Sequence, residues 1–234
     1  MKKTAIMQPY FLPYLGYWQL IQSVDEFVVY DNIEFTKKGW FNRNRILDGD
    51  HARLFTIPIK KDSDYLDVVE RSLADDAAKE NARTLRIIQT TYKKAPNYAE
   101  VYPLIERCFM WEDRNLFNFN YHAIREICEY LQIGTKLTVS STVSIDHELK
   151  AEQKVVSICK ALDTDVYINS IGGVELYDKD DFATNGLKLQ FLKPRLEAYP
   201  QFGKPFVPGL SIIDIMMFNE RTKIVQMLEE YELV

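Results

Sequence analysis

The first 45 residues constrain the fold more than any other part of the chain. A short apolar run, Thr4 to Met7, leads into the loop Gln8-Pro9-Tyr10-Phe11-Leu12-Pro13. A helical stretch follows from Tyr14 to Ser23, then a second strand over residues 26–31 that ends on Asp31. The order is strand, loop, helix, strand, with polar groups gathered beyond the strand ends. In an open α/β sheet that edge is where ligands bind.

The same unit recurs later. Leu137 to Ser141 reads as a strand, Asp146 is placed to cap a helix from His147 to Leu162, and residues 165–169 read as the next strand. The connection is long enough for a right-handed parallel crossover. Between the two units lie a loop with some extended character (33–47), a strand at 54–59 and a stretch without a clear period (66–73). Three helical patterns follow at 76–93, 98–109 and 114–131, the last marked by the stripe Leu116, Phe119, Ala123, Ile127 and Leu131. A strand at 187–192 and helices at 210–218 and 221–231 complete the chain. The expected fold is α/β, a mostly parallel Rossmann-like (HUP-like) sheet with a helical insertion. The division is 1–75 and 135–234 for the two parts of the α/β domain and 76–134 for the insertion.

Composition narrows the function classes. The 234 residues are 47% hydrophobic, enough for a sizeable core, and the net charge of −5 argues against general nucleic-acid binding through a basic face while leaving room for local basic patches. Met1-Lys2-Lys3 resembles the start of a signal peptide, but Gln8, Pro9 and Pro13 interrupt the apolar region that should follow. No run is long enough to cross a bilayer, and the expected location is the cytoplasm. Cys108, Cys128 and Cys159 form no CxxC pair and read as buried free thiols. His51, His122 and His147 are far apart, with no HExxH, so no metal is expected. No motif names a cofactor.

Five groups of residues could carry chemistry. Gln8, Pro9, Tyr10, Pro13, Tyr14, Gly16 and Tyr17 surround a helix start whose free N–H groups suit a phosphate or carboxylate. The tetrad Tyr14-Leu15-Gly16-Tyr17 stands where nucleotidyltransferases carry an HxGH-type motif, with tyrosines that cannot hold an imidazolium's charge. Packing of a proline- and glycine-shaped turn explains these residues equally well. The second group is Asp31, Asn32, Lys37, Lys38, Trp40, Asn42, Arg43, Asn44 and Arg45. Cations for phosphate and a tryptophan for stacking interleave there, against the simpler reading of a solvated charge run. The third is Ser140, Ser141, Asp146, His147, Lys150 and Glu152. A helix N-terminus beside His147 would favour its neutral, basic form, and plain capping is the alternative. The fourth, Asn169, Gly172, Gly173 and Tyr177, follows a strand with a turn that lets a ligand approach the backbone. The fifth, Tyr199-Pro200-Gln201 with Ser211 and Asp214, reads as structural, Ser211 and Asp214 forming a variant capping box.

Taken together, MQPYFLPYLGYWQLI, YDNIEFTKKGWFNRNRI, Tyr92 with Ala95-Pro96, His147 with YINSIGG, and LSIIDIMMFN resemble the WbqC-like family along nearly the whole chain. The resemblance implies bacterial surface-polysaccharide biosynthesis, the O-antigen and capsule pathways. It supplies no catalytic assignment. Joined to the residue arguments, it leads to the expectation of a transferase, acyl or aminoacyl, acting on a nucleotide-linked amino sugar. His147 or Asp31 would be the base. Lys37, Lys38, Arg43 and the first turn would take the diphosphate, and Tyr10, Tyr17 and Trp40 would offer flat surfaces. Gln8, Tyr14, Asn42, Asn44, Asn169, Gly172 and Gly173 complete the substrate-binding set. The partners expected are the nucleotide-linked sugar and an acyl donor. A nucleotidyl or adenylyl transferase with a degenerate HxGH motif and a non-catalytic sugar-nucleotide binding module are the alternatives. All require the turn after the first strand, the 37–45 stretch and the His147 segment to surround one hollow.

Overall fold

The computed structural model describes residues 1–203 and 205–234. Its strands are β1 (Lys3–Met7), β2 (Glu26–Val29), β3 (Arg43–Asp48), β4 (His51–Thr56), β5 (Lys136–Val139), β6 (Val166–Ser170), β7 (Lys188–Pro194) and β8 (Tyr231–Leu233). The helices are α1 (Leu15–Gln22), α2 (Ala77–Tyr92), α3 (Tyr98–Phe109), α4 (Leu116–Leu131), α5 (Ala151–Ala161), α6 (Lys179–Thr184), α7 (Ile212–Phe218) and α8 (Arg221–Met227). Six strands form one sheet in the order β5-β2-β1-β6-β7-β8, parallel except for the β7–β8 pair, while β3 and β4 make a separate hairpin.

Alternation along the strands explains the layers, because successive side chains point to opposite faces. Ala5, Phe27, Val29 and Ile168 face a core shared with α1, the three helices α2–α4, α7 and α8. Ile6, Val28, Tyr167 and Phe191 face a smaller core made with α5 and α6. Helices thus cover both faces, as a parallel sheet requires. Trp18 on α1 is fully buried and its indole N–H donates to the Pro13 carbonyl at 3.0 Å, which fixes the helix against the loop that precedes it.

Four sequence expectations need correction. The stretch 33–47 contains β3, whose hairpin closes through Gly49, in the left-handed region at φ +67°, and Asp50, so that Asp48 pairs with His51. That register draws the following strand back from 54–59 to His51–Thr56. The helix expected from His147 begins only at Ala151, whose φ of +48° breaks any helical continuation from the turn before it. The last helix ends at Met227, and Tyr231–Leu233 pairs antiparallel with Leu192–Pro194 instead. The short helix α6 had no expectation; Asp178 caps it by accepting from the N–H groups of Asp180 and Asp181.

Two seams of the sheet differ in how far they are zipped. Strand β2 pairs with β5 at all four positions, Glu26 with Lys136 through Val29 with Val139. Strand β1 pairs with β6 only at Lys3–Val166 and Thr4–Tyr167, although both strands continue. The chain runs from β1 to β2 on one side and returns to β6 on the other, so this seam is where strand order reverses. Its unzipped C-terminal half is the crevice in which open α/β sheets bind ligands.

Candidate functional site: a crevice at the reversal of strand order

A cavity of about 470 Å³ opens at that point. Its walls come from β1 and the loop after it (Gln8, Tyr10, Tyr14), from α1 (Gly16, Tyr17), from Tyr30 beyond β2, from Trp40, and from the end of β6 (Asn169, Gly172, Gly173, Tyr177). Among the described residues no charged side chain lines it.

The polar groups of this wall fall into two sets. One set is used internally: the Tyr10 hydroxyl donates to Gln8 Oε1 at 2.6 Å, and Tyr17 donates to the Gln8 carbonyl at 2.9 Å. The other set has no protein partner among the described residues. It comprises the Gln8 amide N–H₂, the hydroxyls of Tyr14 and Tyr30, and the Asn169 amide N–H₂, whose Oδ1 accepts from the Ser170 N–H at 2.8 Å. A Cβ at Gly173 would stand 2.4 Å from Asn169 Nδ2, so only glycine lets this turn close on the amide. Burial, aided by the nearby Tyr14, pushes the Tyr10 hydroxyl up to about 12. Burial raises Tyr14, Tyr30 and Tyr177 as well and holds Tyr17 and Tyr167 far above the ordinary tyrosine value. These hydroxyls are donors that stay protonated at any physiological pH.

The remaining sequence candidates lie elsewhere. Asp31 is buried, and its Oδ1 accepts from Ser140 Oγ at 2.6 Å and from the Ser141 N–H at 2.9 Å. Ser140 Oγ also lies 2.7 Å from Asn32 Oδ1, while Asn32 Nδ2 lies 2.9 Å from His147 Nδ1. His147 Nε2 is 3.0 Å from the Val143 carbonyl, which can only accept. The ring therefore carries its proton on Nε2 and accepts from Asn32 at Nδ1, leaving neither nitrogen available. Lys154 Nζ donates to the Asn32 carbonyl at 3.2 Å and lies 5.4 Å from the centre of the Tyr30 ring. The neighbours through which this cluster meets the crevice include Tyr30, Ile33 and Val155.

The basic stretch divides three ways. Trp40 lines the crevice, with the guanidinium groups of Arg43 and Arg45 stacked 5.6 and 4.9 Å from its ring centre. Lys37, Asn42 and Arg43 line a second hollow, of about 530 Å³, beside the β3–β4 hairpin. Lys38 is exposed and lines neither. Asn42 is committed to the Ile57 carbonyl at 2.8 Å, and Asn44 to the carbonyls of Phe11 at 3.1 Å and Leu12 at 2.7 Å. The three segments expected to ring one hollow therefore separate into a crevice, a basic hollow and a closed polar cluster.

Some contributors went unread in the sequence. Asn120 on α4 donates to the carbonyls of Pro9 at 2.9 Å and Phe41 at 2.8 Å, clamping the first loop to the Trp40 segment. Leu12, at φ +46°, is held in that strained conformation by Asn44 and by Ser211 Oγ, which donates to its carbonyl at 2.6 Å. Ser211 also caps α7, accepting from the Ile213 N–H at 3.3 Å. The Asp214 carboxylate does not complete a capping box. It accepts from Tyr92 at 2.8 Å and Tyr199 at 2.7 Å, and burial raises its pKa. The isolated polar letters of α4 and α7 gave no hint of these distant partners.

The three cysteines are free and buried, and burial pushes Cys128 and Cys159 up to about 12, unsuited to nucleophilic work. Among the described residues no three His, Cys, Asp or Glu side chains converge as a metal site, and no helix is long and apolar enough to cross a membrane.

A doubly covered, mostly parallel sheet with a crevice at its reversal point places the chain among the open-sheet α/β proteins. The chain belongs to the WbqC-like protein family, which matches over residues 8–226. An uncharacterized protein of Mycobacterium tuberculosis, Rv1507c, is 29% identical over 225 residues, covering 94% of each chain. No solved structure matches.

Proposed function

We propose that this protein is a transferase of bacterial surface-polysaccharide biosynthesis. It binds a nucleotide-linked amino sugar with the sugar in the β1–β6 crevice, and an acyl or aminoacyl group passes to the sugar's amine. The observation that carries this reading is the uncharged lining, with tyrosine faces and four unpartnered donors. Tyrosines and amides suit a polyhydroxylated ring, whose hydroxyls accept while its faces stack. The lack of a carboxylate matters for the chemistry. An amine desolvated in such a cavity is held neutral, the form that attacks a carbonyl carbon. The hydroxyls of Tyr14 and Tyr30, kept protonated by burial, are placed to stabilise the oxyanion that forms. The leaving group departs with the proton that the amine loses. Asp31 and His147 act from behind the Tyr30 wall, holding the end of β2 in position.

One observation favours a second reading, a non-catalytic module that presents the sugar nucleotide to partner enzymes. Among the described residues no group lining the crevice is a base at neutral pH. Calorimetry with UDP-glucosamine, followed by mass spectrometry after addition of acetyl-CoA or another acyl thioester, separates the two. Binding with turnover, weakened in Tyr14→Phe and Asn169→Ala, supports the transferase. Binding with no product from any donor supports the module, and no binding removes both.

A further inference from the structure

The hollow beside the β3–β4 hairpin is a different environment from the crevice. Five cations, Lys37, Arg43, Lys60, Lys61 and Arg71, line it against two carboxylates, Asp62 and Asp64, in a chain whose net charge is −5. Arg71 sets it apart from a solvated basic patch. It is only 3% exposed, and its guanidinium lies 4.9 Å from the centre of the Phe35 ring. Nη1 donates to the Ser63 carbonyl at 2.7 Å and Nη2 to the Lys60 carbonyl at 3.2 Å. Nε has no partner among the described residues, and no carboxylate forms an ion pair with this group. The counter-charge it feels is that of exposed Asp64, whose carboxyl is held low first by Lys37 and then by Arg71, and which is in direct contact with Lys37 instead. A buried charge with no carboxylate in contact is costly, and backbone carbonyls and a ring face offset that only in part. Arg43 is likewise paired only with carbonyls, those of Gly39 at 2.8 Å and Lys38, and so keeps its full charge for a ligand. Lys37 is held by Asp64 at 2.7 Å, an exposed pair that an entering anion can displace at little cost.

We propose that this hollow is a pyrophosphate-binding site built on Arg71, with Arg43, Lys60 and Lys61 completing the charge. The planar guanidinium groups match phosphate oxygens, and the lysines act as mobile point charges. The site stands on the hollow alone; only the source of its phosphates rests on the preceding reading. They belong either to the sugar nucleotide itself, reaching past Arg43 from the crevice, or to a phosphate-bearing second substrate.

Calorimetry with inorganic pyrophosphate on the full chain tests this. Wild type is expected to bind with an affinity that falls as salt rises. Arg71→Met and Lys61→Glu should each weaken binding by about tenfold or more, while Lys193→Glu on β7 should not. Arg71 also ties down the 60–63 segment, so circular dichroism checks that its variant folds. Lys61 is exposed, and its variant keeps the test decisive if Arg71→Met does not fold. No binding at millimolar pyrophosphate, or equal binding by wild type and Lys61→Glu, overturns the proposal. UDP-glucosamine added to the pyrophosphate complex identifies the source. Displacement assigns the site to the sugar nucleotide's diphosphate, and simultaneous binding assigns it to a second substrate. Asn169→Ala, in the crevice, should leave pyrophosphate binding unchanged, so failure of the sugar reading is distinguishable from failure of this one.

Discussion

The seam between β2 and β5 and the seam between β1 and β6 end at the same edge of the sheet, and both carry polar residues past their last strand positions. In the first, the strands stay paired to Val29 and Val139, so Asp31, Asn32, Ser140 and Ser141 arrive within reach of one another and satisfy each other. In the second, pairing stops at Thr4 and Tyr167, and Gln8, Tyr14 and Asn169 are held apart across a cavity. The contrast teaches that residue type and edge position do not make a site. What decides is whether the neighbouring strand ends are close enough to consume each other's hydrogen bonds. Asp31 and His147 look the most chemical in the sequence and are engaged throughout; the Asn169 N–H₂ and the Tyr14 hydroxyl look ordinary and are without a partner among the described residues.

The largest expected effect tests the zipped seam at its foot. Glu26, 2% exposed, is paired there with Lys2 and Lys136, each at 2.8 Å. Burial works against its charge, but the hydrogen bonds from Lys136, Lys2 and Thr138 together outweigh it and lower its pKa from 4.5 to about 2. A depressed carboxyl contributes stability that is complete above its unfolded pKa and is lost as pH falls through its folded one. Glu26→Gln should therefore lower unfolding free energy by about 2–3 kcal/mol at neutral pH. The gap to wild type, followed by urea titration, should close between pH 4.5 and about 2. A constant gap across that window would show that the ion pairs contribute nothing.

Next, Asp31→Ala should strand the Ser141 N–H and leave Ser140 Oγ with Asn32 Oδ1 as its one acceptor, at a cost of about 1–2 kcal/mol in urea unfolding. The folded fraction should bind UDP-glucosamine as well as wild type does. Lost binding with unchanged stability would reverse the roles of the two seams. Asn169→Ala should do the opposite, changing stability by less than about 1 kcal/mol while weakening UDP-glucosamine about tenfold by calorimetry. The smallest effect is an expected constancy. Tyr10 titrates only at about 12 and, among the described residues, no charged side chain lines the crevice, so affinity for UDP-glucose, which has no amine of its own to titrate, should not vary between about pH 6 and pH 9. A sigmoidal dependence there would place a titrating residue in the wall.

The sheet was legible because its strands are short apolar runs separated by helical periodicity, a pattern that survives without tertiary information. The crevice was half legible. Gln8, Tyr10, Tyr14 and Tyr17 come to it because they follow β1 or lie on α1, and Asn169, Gly172 and Gly173 because they end or follow β6, while Trp40 reaches it from the segment before β3. Lys37 and Arg43 belong to a neighbouring hollow because β3, hidden in a polar stretch, turns their segment away; the Asp48-Gly49-Asp50 turn was the available signal. The amides of Asn42 and Asn44 read as ligand groups, yet they serve as backbone ties whose acceptors are distant in sequence or fixed by the hairpin register. The helix expected at His147 failed because the backbone is extended at Lys150 and left-handed at Ala151, angles that residue type does not announce.

Lys2 gives the unzipped seam a pivot. Its backbone N–H donates to the Asp165 carboxylate at 2.6 Å, its carbonyl accepts from the Asp165 and Val166 N–H groups, and its ammonium reaches both Glu26 and the Leu162 carbonyl. Through Glu26 and Lys136, four neighbouring strands are gathered at one end like the ribs of a fan at its rivet. The width of the cavity is therefore set by how far β1 and β6 diverge beyond Thr4 and Tyr167, while their register stays fixed at this end.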